Sequence, residues 1–188
     1  MPIAINGNGT LTGISAGGYP DGSVTAADLA STLDLSGKTV TLPSGAGGKV
    51  VNYSISSFYS TQESTTSTSY VDTSFTATYT PASSSNKVLL ILQFQDGARR
   101  GYGHYYDIKR TVGGTTTQLG ASYTGGILGS YSSANDSNRL AQIVWLDSPA
   151  TTSEITYRLI HKAQSSSYSQ YVFNSSMPAF YLFVELEP

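Results

Sequence analysis

The sequence has no cysteine among its 188 residues, which excludes disulfides and thiolate metal sites. It is also poor in charge. Asp, Glu, Lys and Arg make up 12%, about half the usual share of a soluble domain. The formal net charge of −2 offers no electrostatic footprint for nucleic acid or an anionic membrane. Long apolar runs are missing too: VLLIL at 88–92 has the length of a strand, far short of the ~20 residues of a membrane span. The opening MPIAINGNGT has neither a basic start nor an apolar centre, so no secretory signal is expected. Without one, the N-x-[ST] triplets at Asn8, Asn52, Asn135 and Asn174 read as by-products of an Asn- and Ser-rich composition.

Ser, Thr, Gly and Tyr fill the space that charge leaves, and fourteen tyrosines stand against one tryptophan. A hydroxyl-rich, aromatic surface suits β-sheet better than helix. The front of the chain is different. Residues 1–16 carry only Ile3, Ile5, Leu11 and Ile14 as anchors and read as an extended arm. GGYPDG at 17–22 has turn chemistry. SVTAADLASTL reads as a short helix, with Thr25 as its N-cap and Asp28 three residues on. Leu29 and Leu33 form an i, i+4 pair on it. Its two turns or so are too short to be stable alone. SGKTVTLP reads as turn and strand with Val40 and Leu42 on one side, and SGAGG at 44–48 as a joint. The chain is therefore expected to divide into a front piece, 1–48, and a β domain, 49–188.

From Lys49 onward the period is two. Val51, Tyr53, Ile55 and Ser57 share a side, as do Val71, Thr73, Phe75, Ala77 and Tyr79. KVLLILQFQ begins as a continuous apolar run, the pattern of a central strand covered on both faces. HYYDIKRTV, the GG turn and TTTQLGASY read as a hairpin. In NRLAQIVWLDSP, Leu140, Gln142, Val144 and Leu146 alternate with Ala141, Ile143 and Trp145. SEITYRLIHKA alternates likewise, and YVFN and AFYLFVELEP close the domain. GARRGYG, TGGILGSYSSANDS and QSSSYSQ read as loops. About eight strands with turns between them predict an all-β fold, an antiparallel jelly-roll-like sandwich.

Two stretches, ISAGGYPDGSVTAADLASTLDLSGKTVTLP and TTSTSYVDTSFTATYTPASSSNKVLL, resemble segments recurring in tail-fibre and other appendage proteins of bacteriophages, notably those of cyanobacteria and other marine hosts. Together they cover about a third of the chain. The resemblance implies a virion structural protein, trimeric and exposed on the particle, made in the host cytoplasm. It supplies neither a receptor nor a catalytic residue. The arm leans the same way, since so few apolar anchors cannot offset the entropy of ordering it. Sister chains or another virion protein would supply the missing surface, with Leu29, Leu33, Leu35, Val40 and Leu42 at the contact. The competing reading is an arm that is disordered or docks on its own domain.

The residues point to binding more than to catalysis. His104 and His161 are the only histidines, and nothing in their spacing selects a metal. His161 reads as a strand-end residue at a core edge. Asp72, Asp96, Asp107, Asp136, Asp147 and Glu154 are the candidates for a glycosidase pair, yet most flank turns, where Asp is favoured for its own hydrogen bonds. There is no G-x-S-x-G elbow, and NGNG and PSGAGG lack the lysine of a phosphate loop. No enzyme, cofactor or metal is expected. Three loops instead combine tyrosine with Ser, Gly, Asn and Arg, as binding loops do. They carry Arg99, Arg100, Tyr102, His104 and Tyr105; Tyr123, Tyr131, Asn135 and Asp136; and Tyr168 and Tyr171. A host surface polysaccharide is the expected target. The plain alternative is that these tyrosines follow the overall composition, some of them stacking at a trimer axis. The other class of function consistent with the sequence is a capsid decoration protein that stabilises the shell.

Overall fold

A computed structural model describes residues 4–5, 11–12, 50–58, 62–98, 101–131, 137–173 and 178–187. The chain forms two compact units, Met1–Ser44 and Gly45–Pro188. In the first, β1 (Ala4–Ile5) pairs antiparallel with β2 (Leu11–Thr12). The expected helix over SVTAADLASTL, the strand after it, and Leu29, Leu33, Leu35, Val40 and Leu42 lie outside the described residues.

The second unit is all-β among its described residues. Its strands are β3 (Val50–Phe58), β4 (Glu63–Thr65), β5 (Val71–Tyr79), β6 (Lys87–Ala98), β7 (Gly103–Val112), β8 (Thr115–Gln118), β9 (Leu128–Tyr131), β10 (Ser137–Asp147), β11 (Ile155–Ala163), β12 (Gln170–Val172) and β13 (Ala179–Leu186). They form two antiparallel sheets. In one, β6 is central. β10 runs along one of its edges, while β13 and then β12 share the other, backed by β3 and β4. In the second, the order is β5–β11–β7, with β8 and β9 sharing the far edge of β7.

Alternation decides which side chains meet. Val88, Leu90, Leu92 and Phe94 of β6 point inward with Tyr181 and Phe183 of β13. They face Phe75, Ala77 and Tyr79 of β5, Ile155, Tyr157 and Leu159 of β11, and Tyr106 and Ile108 of β7. Rings cross from sheet to sheet: Phe75 to Tyr181 at 4.3 Å, Phe94 to Tyr106 at 4.8 Å, Tyr79 to Phe183 at 5.2 Å. The unit is thus a β-sandwich with an aromatic core.

The GG hairpin forms as expected, Gly113 and Gly114 both having positive φ. Elsewhere the sequence pattern falls short. β6 continues through GA into the stretch read as loop, because β10 and β12 pair with it there. β9 lies within the segment read as one long loop, held by β7. The strand read over TTTQLGASY ends at Gln118, and Gly120 begins a tight turn.

Register also fixes the two ends. Val50, Leu186 and Lys87 pair across neighbouring strands at the end where the sandwich begins. At the opposite end lie the close of β6, the starts of β7 and β12, and the close of β11.

Candidate functional site

That opposite end gathers most of the described loop tyrosines. Tyr102, before β7, and Tyr168, after β11, pack together with ring centroids 4.6 Å apart and planes tilted by 33°. Tyr168 is about half exposed, and Tyr131, at the close of β9, more so. Tyr105 and Lys162 are a cross-strand pair on the outer face of the second sheet. A Cβ at Gly103, Gly125 or Gly129 would sit 3.1–3.2 Å from the Tyr105 side chain. Three glycines therefore let the backbone close around this ring and hold it in place. The Lys162 ammonium lies 5.6 Å from the Tyr105 ring and 4.6 Å from the Tyr70 ring. It donates to the Thr124 carbonyl at 3.0 Å. Burial first, then the nearby Asp107 and Tyr105, push the Tyr70 hydroxyl up to about 12. Thr68, Tyr105, Thr124, Lys162 and Gln164 line a shallow cleft of about 290 Å³. Hydroxyls, an amide and a cation around an aromatic ring are groups that grip a polyol.

Of the other loop residues, Tyr171 is half-buried in β12, and Tyr123 is exposed on the turn after β8. Arg99, Arg100, Asn135 and Asp136 lie outside the described residues. His104 needs correction. It is fully buried, so it cannot reach a receptor. The reason is its place on β7, where it shares the inward face with Tyr106 and Ile108.

His104 belongs to a polar network beneath the tyrosines. Its Nδ1 lies 3.1 Å from Asp96 Oδ1, and its Nε2 lies 2.9 Å from His161 Nδ1. Tyr106 donates its hydroxyl to the same Asp96 oxygen. The carboxylate keeps a proton on His104 Nδ1, so His104 Nε2 accepts from His161 Nδ1–H. A further proton on His104 Nε2 would set it against the His161 Nδ1–H. Burial, with the neighbouring His104, holds His161 down to about 3. Burial lowers His104 as well, against the pull of Asp96. Burial alone would raise Asp96, but hydrogen bonds, that from His104 foremost, keep it below its usual range. Arg139 Nη2 stands 3.7 Å from its second oxygen, and both residues line another cleft of about 290 Å³.

This Asp–His pair has the composition of a catalytic base. Yet the far nitrogen of His104 meets another histidine and no nucleophile. The network ties β6 of one sheet to β7 and β11 of the other. The spacing of the two histidines in sequence does not reveal that they meet, and Asp96 reads there as one more carboxylate beside a turn. The available signal was the inward parity of His104, Tyr106 and Ile108. Among the described residues, no three His, Asp or Glu side chains converge to hold a metal ion.

No protein-family model matches the chain, and no curated protein matches it.

Proposed function

We propose that this chain is a virion structural protein: a trimeric tail-fibre or appendage protein whose β-sandwich meets a host-surface glycan. The observation that carries the reading is the cluster of tyrosines at the end opposite Val50. Val50, where the described sandwich begins, stands at the other end of the same strands. Tyr102, Tyr168 and Tyr131 offer ring faces there, and the Tyr105–Lys162 cleft adds hydroxyl, amide and ammonium groups. Rigid aromatic platforms among small polar groups bind at low entropic cost. The phage-appendage resemblance of the sequence supports the virion setting. A jelly-roll connectivity belongs to the same proposal. With β3, β5, β6, β7, β8, β10, β11 and β13 numbered one to eight, one sheet runs one–eight–three–six and the other two–seven–four–five. With β4, β9 and β12 set aside, this order supports the two interlocked Greek keys of a jelly roll.

The test is adsorption to host cells, or binding to their purified polysaccharide. Replacing Tyr102, Tyr131 and Tyr168 together by alanine should weaken binding roughly 100-fold, at about 1 kcal/mol for each ring. Oligomer mass should not change. Unaltered adsorption would overturn the glycan reading. A copy number per particle in the hundreds, with loss of shell stability on removal, would point to a decoration protein.

A further inference from the structure

The outer face of the β6 sheet is apolar, and no described residue covers it. Its composition follows from register. Across β3, β13, β6 and β10, one row reads Ile55–Leu182–Ile91–Val144 and the next Tyr53–Val184–Leu89–Leu146. A third reads Ser57–Phe180–Gln93–Gln142. Nine of these twelve positions are apolar, and none is charged at neutral pH. Tyr53 is 69% exposed, Ile55 61%, Val144 55% and Leu146 49%. The outer face of the other sheet is ordinary by comparison. Asp72, Thr76 and Thr78 lie on β5, with Lys109 and Arg158 both turned toward Asp72. One sequence has therefore built a solvent face on one side and a core-like face on the other.

We propose that a second copy of this chain packs on this face. Four strands about 4.8 Å apart and three rows, about six residues, deep give a flat footprint of roughly 400 Å². That is about half of the ~800 Å² that each partner brings to a standard interface before side-chain relief is counted. A monomer seldom leaves so large an apolar patch open. Its chemistry favours a like partner. The three rows carry no charge that would select a foreign surface, and every copy carries the same uncovered face, so one contact covers two of them. Twisted sheets stack face to face about 10 Å apart, and aliphatic rows laid on their own copies interdigitate. Self-association through this face is independent of whether the tyrosine end binds a glycan.

Sedimentation of the full chain at micromolar concentration tests this. The wild type should run as an oligomer, and Ile55→Lys with Val144→Glu should run as a monomer of unchanged β circular dichroism. Thr76→Lys with Thr78→Lys, on the opposite face, should keep the wild-type mass. A second measurement avoids disrupting the face. Because the chain lacks cysteine, a spin label on Val144→Cys is unique. It should report a short distance between copies, whereas a label on Thr78→Cys should report a longer one or none. A monomeric wild type overturns the proposal, including one whose label is shielded by residues 13–49 of its own chain. So does an oligomer whose mass the Ile55 and Val144 changes leave alone and whose Val144 labels stay far apart.

Discussion

Two buried residues set how the sandwich responds to acid and to loss of a single charge. An unfolded histidine takes its proton near pH 6.5, whereas folded His161 does so only at about 3. Between those values the unfolded chain binds the extra proton. Stability from this group is thus complete above about pH 6.5 and falls as the pH drops toward 3, by on the order of 1 kcal/mol per pH unit for His161. His104 is shifted in the same direction and adds to the slope. Asp96, held low, contributes above the ordinary carboxylate range and withdraws that contribution only below it. Urea midpoints measured from pH 7.5 down to 4 should fall accordingly, and His161→Gln should flatten the decline; a slope that His161→Gln leaves unchanged refutes the assignment. At the other end, buried Glu185 accepts from Tyr79 at 2.8 Å and from the Ala82 amide and Asn86 side chain at 2.7 Å each. One carboxylate thereby fixes the turn between β5 and β6 against β13. Glu185→Gln keeps the shape but loses the charge, so it should cost about 2 kcal/mol in chemical denaturation. Neither role was legible from the sequence. A buried carboxylate and a turn Asp look alike until register decides which way each points.

At the level of elements, strands that alternate were legible and strands held only by tertiary pairing were not. β5, β10 and β11 follow from their period-two patterns. β4 and β9 are three and four residues long, and their sequences EST and LGSY carry no alternation to read. β12 holds β4, and β7 holds β9. The expectation that β6 is covered on both faces was half legible. Leu89 and Ile91 stand out from the sheet beside exposed Val144 and Leu146, with no described residue over them. The segment between β8 and β9 depends on close approach. Gly126 has φ +72, and a Cβ there would lie 2.4 Å from the Tyr106 carbonyl oxygen and 2.2 Å from the Tyr70 hydroxyl. Gly126→Ala should cost at least ~2 kcal/mol and lower Tm by several degrees. Gly113→Ala, at φ +54 but in open space, should cost about half as much. Equal melting points for the two variants would contradict this account of the turn.

At the scale of the whole molecule, the two outer faces and the two ends differ, and each difference has its own origin. The faces differ because alternation sends Ile55, Leu182, Ile91 and Val144 outward on one sheet and Asp72, Lys109 and Arg158 outward on the other. The ends differ because tyrosine-bearing connections follow β6 and β11, whereas β3 and β13 begin and finish at the other. The sandwich class could be read from strand count and spacing; the pairing of edges could not, since it depends on contacts between residues far apart in sequence. The same layout governs how the sandwich carries load. β3 leads from Val50 toward the tyrosine end and is bonded along its length to β13. A pull from the leading segment against a tethered tyrosine end acts parallel to these strands, and their hydrogen bonds lie across it. Those bonds are strained together in shear. Peeling would instead load them one after another, so this direction of pull meets the sheet where it is mechanically strongest.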